Sequence, residues 1–321
     1  MGTVSRMAGQ QSMKQVLGLV VNPTAGKGKA HKADPQLREA FTKLGFQVED
    51  LTAPDLAAAT SSTRHAVVEG LDALVVAGGD GMTHLGVNAV AGTSLPLGLI
   101  GLGTGNDVVR GLGLPRNKLD EGVKAIAAAL ETGPRRIDAV KISDTTHSMQ
   151  EWFCGVLSAG FDAAVNALAN QLQFPRGESV YVRALMKELR HYRPYGFEVE
   201  VDGQPVWQGP AALVAVANGY YIGGGMKIAP QAVMDDGFLD VVIGGPLSRA
   251  ALLRVFPKVY RGNHMHHRQV HAYKGKTVTI KPRLDLGPQP PDAHTDGERI
   301  GPLPLRCEVV PGAVLVLAPP Q

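Results

Sequence analysis

Short apolar runs alternate with longer amphipathic stretches over the first 143 residues of the chain. Apolar runs predict buried strands, whereas apolar positions three and four residues apart predict helices. The predicted strands are 16–21, 46–51, 74–77 and 97–100. The predicted helices are 32–44, 55–69, 82–90, 108–112 and 119–131. This alternation is typical of a parallel sheet with crossover helices, so the pattern predicts an α/β domain.

After about residue 137 the predicted strands follow one another with only turns between them. Asp202-Gly203 separates the β-rich runs 197–201 and 205–207, and an Asp-Gly pair in this setting predicts a hairpin. Further strands are predicted at 211–218, 239–243, 277–280 and 308–310, and helices at 179–191 and 249–260. This half is predicted to be a β-sandwich with a few helices. We therefore expect an α/β domain over 1–137, completed by about 305–321, and a β-rich domain over 138–304.

Composition limits the classes of function. The length of 321 residues exceeds what one hydrophobic core usually supports, which agrees with two domains. The net charge is only +3 and the basic residues are dispersed along the chain, which argues against nucleic acid as a partner. Two distant cysteines predict neither a disulfide framework nor a zinc site and favour the reducing cytoplasm. No apolar run is long enough to span a bilayer, so membrane contact is expected to be at most peripheral.

Glycine-rich strings follow three of the predicted strands, at the sheet edge where open α/β folds bind ligands. In the most informative string, a buried strand leads into Gly78-Gly79-Asp80-Gly81 and then a helix, which brings backbone N–H groups and a helix dipole to one point suited to phosphate. Because an aspartate would repel phosphate, Asp80 is expected to act through a Mg²⁺ ion carried by the phosphates or through other cations.

The other two glycine strings fail the common nucleotide-binding fingerprints. The string from Gly101 to Asp107 has Asn106 or Val108 where a dinucleotide fingerprint requires glycine. The string from Asn22 to Lys29 contains Lys27 but lacks the leading glycine of a Walker A motif, and Ala30 stands where that motif has Ser or Thr. Neither a Rossmann dehydrogenase nor a P-loop enzyme is therefore predicted.

Taken in order, the motifs of the chain resemble the diacylglycerol kinase catalytic domain family, which also includes sphingosine kinases and bacterial lipid kinases. The motifs that carry the resemblance over about residues 16–319 are Asn22-Pro23, Gly78-Gly79-Asp80-Gly81, Gly103-Thr104-Gly105-Asn106-Asp107, Gly223-Gly224-Gly225-Met226, Asp235-Asp236-Gly237 and Asp296-Gly297-Glu298. The resemblance implies a Rossmann-like three-layer α/β domain, of the kind found in NAD kinases and phosphofructokinases, followed by a β-sandwich.

The resemblance also implies roles for particular residues, with ATP and Mg²⁺ as cofactors. The implied nucleotide-binding residues are Asn22, Lys27, Thr52, Gly78, Gly79, Asp80, Gly81, Met82, Thr83, His84, Gly103, Thr104, Asn106 and Asp107. Arg110 and Asp138 are implied to belong to a charge network at the active site. Met82 stands where the family usually has threonine.

On the acceptor side, Asp296 is implied to be the catalytic base, with Glu298 supporting it. From the residues alone Asp296-Gly297 is only one of four Asp-Gly turns, the others starting at Asp80, Asp202 and Asp236. Asp236, together with the backbone carbonyls of Val233 and Phe238, resembles a family site for a structural Mg²⁺ ion.

The leading hypothesis is an ATP-dependent lipid kinase that transfers the γ-phosphoryl group to a lipid hydroxyl such as that of diacylglycerol. It is expected in the cytoplasm, with peripheral contact at the inner face of the membrane, and the sequence leaves a homodimer open. Two alternatives remain at this point: an NAD kinase-like or other soluble-alcohol kinase, and a catalytically silent nucleotide-binding regulator.

Overall fold

The first domain of the computed structural model is a parallel sheet covered by helices on both faces. The structure describes residues 15–22, 29–144, 149–172 and 178–320. The strands are β1 (Val16–Val21), β2 (Gln47–Asp50), β3 (Ala73–Gly78) and β4 (Leu97–Gly101), in the spatial order β2-β1-β3-β4. The helices are α1 (Lys29–Lys43), α2 (Leu56–Glu69), α3 (Asp80–Val90), α4 (Asp107–Gly111) and α5 (Leu119–Thr132). Strands β3 and β4 are fully buried, which explains their unbroken apolar sequences.

Two separate hydrophobic clusters make this domain three layers deep. On one face, Phe41 of α1 and Ile126 of α5 pack against the sheet. On the other face, Ala66 of α2 and Leu85 of α3 do so. The predicted three-layer α/β architecture is confirmed.

The second domain contains the remaining strands and three helices. The strands are β5 (Arg135–Asp144), β6 (Gln150–Phe153), β7 (Val156–Gly160), β8 (Tyr195–Val201), β9 (Gln204–Ala211), β10 (Leu213–Ala217), β11 (Leu239–Gly244), β12 (Val270–Gly275), β13 (Thr277–Pro282), β14 (Ala293–Thr295), β15 (Glu298–Gly301) and β16 (Leu305–Val316). The helices are α6 (Phe161–Gln171), α7 (Glu178–Leu189) and α8 (Arg249–Val259). No helix in the described ranges is both long and apolar enough to cross a bilayer.

Two sheets face each other in this domain. One contains β5, β6, β16, β13, β8 and β9, and the other has the order β12-β11-β10-β7-β14-β15. Their inner faces share one core, in which Val140, Phe197 and Val278 meet Leu157 and Val216. The predicted β-sandwich is therefore confirmed. Helices α6, α7 and α8 pack on the outer face of the second sheet.

The long strand β16 connects the two domains. Most of it pairs antiparallel with β5, while Val316 at its end pairs in parallel with Leu97 of β4. The two halves of the chain therefore share one ten-stranded sheet. The sequence predicts only 308–310 as strand here, because Pro311-Gly312 interrupts the apolar pattern. In the structure the strand continues past this pair, and its pairing with β5 shifts register between Val310 and Val314.

Two of the four Asp-Gly pairs form tight hairpin turns in which both residues have positive φ. Asp202 (φ 50°) and Gly203 (φ 76°) join β8 to β9, as the sequence predicts. Asp296 (φ 48°) and Gly297 (φ 81°) join β14 to β15 in the same way. This conformation suits a type I′ turn, for which Asp followed by Gly is a preferred pair.

Candidate active site

The glycine loops that follow β3 and β4 lie against each other at the carboxyl edge of the parallel sheet. A Cβ atom built on Gly103 would lie 2.5 Å from the Gly79 Cα atom, and one built on Gly105 would collide with the Asp80 carboxylate. Neither position has room for a side chain. The two loops predicted to bind nucleotide are thus packed together.

Asp80 organises the second of these loops. Its Oδ2 atom accepts a hydrogen bond from the Asn106 backbone N–H (2.9 Å), and its Oδ1 atom accepts one from Asp107 (2.8 Å). Asn106 has a left-handed backbone and its amide bonds both the N–H and the carbonyl of Gly103. Burial raises the pKa of Asp80, against the lowering effect of these N–H groups. Both oxygens of Asp80 therefore serve the loop, whereas the sequence predicted a role through cations.

Asp107 and Arg110 connect the second loop to the β-rich domain. Asp107 Oδ2 accepts a hydrogen bond from the Gly224 N–H (2.8 Å), and the Arg110 guanidinium donates one to the Gly224 carbonyl (3.3 Å). The guanidinium also lies over the Tyr221 ring, 5.4 Å from its centroid. A Cβ atom on Gly225 would lie 2.9 Å from Arg110 Cζ, which explains a glycine there.

The second oxygen of Asp107 has no hydrogen bond among the described residues although it is buried. Its nearest ion-pair partner is Arg110 Nε, at 3.8 Å from Oδ1. Burial and the negative charge of Asp80 raise the pKa of Asp107 to about 7. This oxygen is therefore available to a cationic group that enters the site.

Asp296 presents a buried carboxylate from the turn between β14 and β15. Its Oδ2 atom has no hydrogen-bond partner among the described residues. A Cβ atom on Gly155 would collide with the other oxygen, so the carboxylate is packed closely against the start of β7. Burial and the negative charges of Asp80 and Asp107 raise the pKa of Asp296 to about 7, against the opposing effect of His84. A carboxylate of this kind suits a proton acceptor near neutral pH.

Two further polar side chains, those of Glu298 and His84, lie at the start of α3. A Cβ atom on Gly81 would collide with the Glu298 carboxylate, so Glu298 covers the amino end of this helix. His84 lies one helical turn further and donates a hydrogen bond from Nε2 to Glu151 Oε2 (3.0 Å). Burial alone would lower the pKa of His84, but Glu151, Asp296 and Glu298 hold it above its ordinary value. His84 therefore belongs to the acidic cluster around Asp296.

Glu151 was missed by sequence reasoning. It lies on β6, which packs beside α3, and Asn88 of α3 fixes this contact through hydrogen bonds to both backbone groups of Trp152. A single polar residue on a short strand carries no spacing signal, so only the tertiary fold shows its role.

Asp80, Asp107 and Asp296 line one cleft between the two domains. The cleft has a volume of about 590 Å³, and Thr104 and the Gly223-Gly224 turn also line it. Three acidic side chains, two glycine loops and the amino end of α3 therefore converge on one space. Backbone N–H groups in such loops suit phosphate, and a carboxylate with a pKa near 7 suits proton transfer.

Several predicted nucleotide-binding side chains have other contacts. Met82 belongs to the hydrophobic core, where its side chain packs over Gly78, and Thr83 is buried. The hydroxyl of Thr52 accepts a hydrogen bond from the Val21 N–H (3.1 Å). Asn22, at the end of β1, donates its backbone N–H to the Ala77 carbonyl (3.0 Å). Lys27 lies outside the described residues.

Asp138 is buried, and its carboxylate bonds backbone groups outside the charge network predicted for it. Its carboxylate accepts backbone N–H groups from Gly237 (2.7 Å) and Gly312 (2.8 Å). No hydrogen bond among the described residues joins it to Asp107 or Arg110. Its side chain instead fastens the 233–238 segment to β16.

The carboxylate of the predicted structural metal site has protein partners in this structure, and the site stays a prediction. Asp236 Oδ2 lies 2.6 Å from the Lys274 ammonium group, and Asp236 Oδ1 accepts the Phe238 N–H (3.0 Å). Val233 and Phe238 are partly exposed, and neither lines the cleft. Among the described residues no group of three or more His, Cys, Asp or Glu side chains is placed to share a metal ion. The ammonium of Lys274 already neutralises Asp236.

Comparison with known proteins agrees with this geometry. Residues 16–142 match the model of the diacylglycerol kinase catalytic domain, and residues 155–318 match the YegS C-terminal NAD kinase beta sandwich-like domain. A protein named diacylglycerol kinase from Mycobacterium tuberculosis is 34% identical over 318 residues, which cover 98% of this chain and 99% of that protein. One from Bacillus subtilis is 27% identical over 289 residues, covering 89% and 90%.

Solved structures share the fold. A structure named as a diacylglycerol kinase from Bacillus anthracis superposes with a TM-score of 0.70 at 22% identity, covering 96% of this chain and 97% of that one. An NAD kinase from Archaeoglobus fulgidus in complex with ATP gives a TM-score of 0.51 at 12% identity, covering 94% and 93%. The fold and the cleft thus define a two-domain kinase. The chain belongs to the diacylglycerol kinase family, and this membership implies ATP as the phosphoryl donor.

The titration of Asp296 predicts how activity depends on pH. Because its pKa is raised to about 7, we expect kcat/KM to be constant at alkaline pH and to fall as the pH drops below about 7, where the Asp296 carboxylate becomes protonated. In Glu151→Gln, His84 loses the hydrogen bond that favours its charged form, and a less charged His84 stabilises the Asp296 carboxylate less. The acidic limb of the pH profile should then move to higher pH, and kcat/KM at pH 7 should fall about two- to fivefold. Initial rates across the pH range in both proteins measure this, and superimposable profiles would contradict it.

Proposed function

We propose that the protein is an ATP-dependent lipid kinase that phosphorylates a hydroxyl group attached to one or two long apolar chains, as in diacylglycerol. The single observation that carries this proposal is an apolar pocket beside the cleft that contains Asp296. The pocket has a volume of about 80 Å³ and lies between the second sheet and helices α7 and α8. A soluble acceptor has no use for such a pocket.

Most residues that line this pocket are apolar, and Ser158, Asp162 and His264 each take part in a hydrogen bond, although His264 Nδ1 has no partner among the described residues. Ser158 donates to Asp162 (2.9 Å), and His264 Nε2 is 3.0 Å from the Ile228 carbonyl. Ser158 and Ile222 line both the pocket and the cleft, so the two spaces adjoin. Hydrocarbon in the pocket and a hydroxyl group in the cleft would suit one molecule, a lipid alcohol.

The proposed reaction uses Asp296 as the base. Its Oδ2 atom takes the proton from the lipid hydroxyl while that oxygen forms a bond to the γ-phosphorus of ATP. The bond between this phosphorus and the β–γ bridging oxygen breaks, and ADP leaves. In the loops at Gly78–Gly81 and Gly103–Asp107, the backbone N–H groups that Asp80 and Asn106 do not occupy hold the phosphates. A Mg²⁺ ion brought in with ATP would neutralise charge on the phosphates, and Asp107 Oδ1, which accepts no hydrogen bond from a described residue, fits as its protein ligand.

The direct test is phosphoryl transfer from labelled ATP to a panel of acceptors. Diacylglycerol, phosphatidylglycerol, a sphingoid base and a polyprenol should be presented in neutral detergent micelles, with NAD and glycerol as soluble acceptors. We expect label in at least one lipid and none in NAD or glycerol. Label in NAD alone would replace the proposal with an NAD kinase, and ATP binding without any transfer would replace it with a silent regulator.

Partial filling of the apolar pocket tests the placement of the lipid chain. Ala215 lies on β10 and faces the pocket, so the Ala215→Leu side chain would extend into existing space. We expect a rise of about 50-fold in KM for a long-chain acceptor, because roughly three methylene-sized groups can no longer be buried. The KM for ATP should stay unchanged.

A matched control for this variant is the acceptor itself. A short-chain diacylglycerol leaves most of the pocket empty, so its KM should change less than twofold. Thermal unfolding of Ala215→Leu should occur at or above the wild-type temperature, since the change fills a cavity. An equal rise in KM for both chain lengths would show that the chain lies elsewhere.

A further inference from the structure

We infer that the outer surfaces of α7 and α8 form a docking face for an anionic bilayer. The docking face is defined by residues 178–193, which contain α7, and 249–268, which contain α8. This inference rests on the proposed function, since a membrane is where a lipid acceptor would be found. It adds the part of the molecule that meets the membrane and the charge of the lipids that it meets.

Charge is the first observation. Residues 178–193 hold four basic and two acidic side chains, and residues 249–268 hold five basic and no acidic ones. These 36 residues therefore carry +7, whereas the whole chain carries +3, so the remaining 285 residues carry −4. The basic residues look dispersed along the sequence, but the fold brings two basic segments together because α7 and α8 share one apolar cluster.

The basic side chains of the docking face point to solvent. All nine are exposed: Arg183, Lys187, Arg190, Arg193, Arg249, Arg254, Lys258, Arg261 and Arg268. Apart from Arg183, none of them forms an ion pair with a described residue. Elsewhere in the fold basic side chains such as Arg38, Lys118, Lys281 and Arg283 are paired with carboxylates. Apart from that of Arg183, the positive charge of these side chains is thus left for an external anion.

Exposed apolar side chains stand among these charges. Val182 and Met186 of α7 are 53% and 51% exposed, and Leu253 and Tyr260 on the α8 side are each 45% exposed. Val182 and Tyr260 also line the cleft, and Leu253 lines the apolar pocket. The exposed apolar groups therefore surround the openings through which a lipid would enter.

Basic residues mixed with exposed apolar side chains suit an anionic membrane surface better than other polyanions. The apolar groups can insert at the boundary between headgroups and acyl chains, while the basic groups stay at the level of the headgroups. A nucleic acid would use the charges but leave the apolar side chains in water. The position of the docking face at the pocket opening would let a lipid pass from bilayer to pocket without crossing water.

The test is co-sedimentation of the full-length protein with vesicles. We expect binding to vesicles of phosphatidylglycerol and phosphatidylcholine in equal parts, weakening with added salt, and little binding to pure phosphatidylcholine. In the double variant Arg254→Glu/Lys258→Glu the partition constant should fall at least about 25-fold, since each basic residue contributes about fivefold. Met186→Gln should weaken binding about two- to fivefold, because an inserted apolar group is lost.

A charge-matched control separates the docking face from overall charge. Lys118→Glu/Lys124→Glu reverses two exposed lysines in the other domain, one at the N-cap of α5 and one within it, and should change the partition constant less than about threefold. Equal losses in both double variants would overturn the inference, as would wild-type protein that ignores anionic vesicles. Binding to a short DNA duplex but not to vesicles would likewise replace the membrane with a nucleic acid.

Activity in two lipid presentations distinguishes this inference from the proposed function. Arg254→Glu/Lys258→Glu should phosphorylate a short-chain acceptor in neutral micelles at the wild-type rate but lose activity on anionic vesicles. If wild-type protein binds vesicles and phosphorylates no lipid, the proposed function fails while the docking face stands. If the double variant retains both vesicle binding and vesicle activity, the docking face fails while the proposed function stands.

Discussion

Asp296→Asn should abolish phosphoryl transfer while leaving the fold and the nucleotide site intact. Asparagine has nearly the same shape and tolerates the left-handed backbone that the turn requires, but it cannot accept the proton of the acceptor hydroxyl. We expect kcat to fall about 1000-fold, within the range for loss of a general base. ATP affinity should be retained or rise slightly, because a negative charge near the phosphates is removed. Steady-state rates and a binding titration with ATP measure the two effects.

Asp202→Asn is the matched control for this prediction, since it changes another Asp-Gly hairpin turn with the same backbone conformation. The Asp202 carboxylate accepts hydrogen bonds from the N–H groups of Lys276 and Thr277 (2.9 and 2.8 Å). Its substitution should therefore lower the free energy of unfolding by about 1 kcal/mol and leave kcat unchanged. If Asp296→Asn kept a tenth or more of wild-type kcat, or if both variants lost activity equally, Asp296 would not be the base.

The four Asp-Gly pairs show where sequence reasoning stops. Local chemistry predicts a turn at each of them, and the structure has tight hairpin turns at Asp202 and Asp296. Their carboxylates have different surroundings. The Asp202 carboxylate accepts hydrogen bonds from backbone amides, whereas the buried Asp296 Oδ2 atom has no hydrogen-bond partner among the described residues. That difference arises from segments far away in sequence, such as Gly155 beside Asp296. Only the ordered family motifs, not the turn itself, indicated which aspartate to choose.

The fold was predictable to a greater extent than the site. Buried strands such as β3 and β4 are apolar throughout because helices cover both faces, and this pattern is visible in sequence. The contacts of polar side chains depend on tertiary packing instead. Glu151 reaches His84 only because β6 lies beside α3, and Lys274 reaches Asp236 only because β12 lies beside that turn. The first contact adds a residue to the site, and the second gives Asp236 an ion-pair partner that the sequence does not indicate.

The glycines of the site have a shared physical reason. Gly81, Gly105 and Gly155 each lie where an added Cβ atom would collide with a carboxylate, namely those of Glu298, Asp80 and Asp296. The acidic side chains can therefore approach the backbone closely, where they are desolvated and can accept N–H hydrogen bonds. Burial raises the pKa values of Asp80, Asp107 and Asp296, and repulsion by neighbouring carboxylates raises those of Asp107 and Asp296 further. Glycine at these positions thus helps to set the protonation chemistry as well as the shape of the loops.

Gly103→Ala should disrupt the nucleotide site, because the added methyl group would collide with the backbone of the other glycine loop. The added Cβ atom would lie 2.5 Å from the Gly79 Cα atom, and because the obstacle is backbone the two loops must separate. Separation would also strain the Asn106 hydrogen bonds to Gly103. We expect kcat/KM to fall at least about 100-fold, as for a misplacement of about 1 Å, and unfolding to be easier by about 1–3 kcal/mol. Kinetics, ATP titration and chemical denaturation measure these changes.

Gly122→Ala is the matched control in the same domain. Gly122 lies inside α5, and a Cβ atom there would meet Ile100 at an ordinary contact distance of 3.7 Å. Because alanine favours a helix over glycine, this variant should be more stable by up to about 1 kcal/mol and fully active. The contrast between the two variants isolates the contact between the loops from the general effect of adding a methyl group. Wild-type kinetics in Gly103→Ala would mean that the two loops can separate without loss, and that their close packing does not hold the phosphates of ATP.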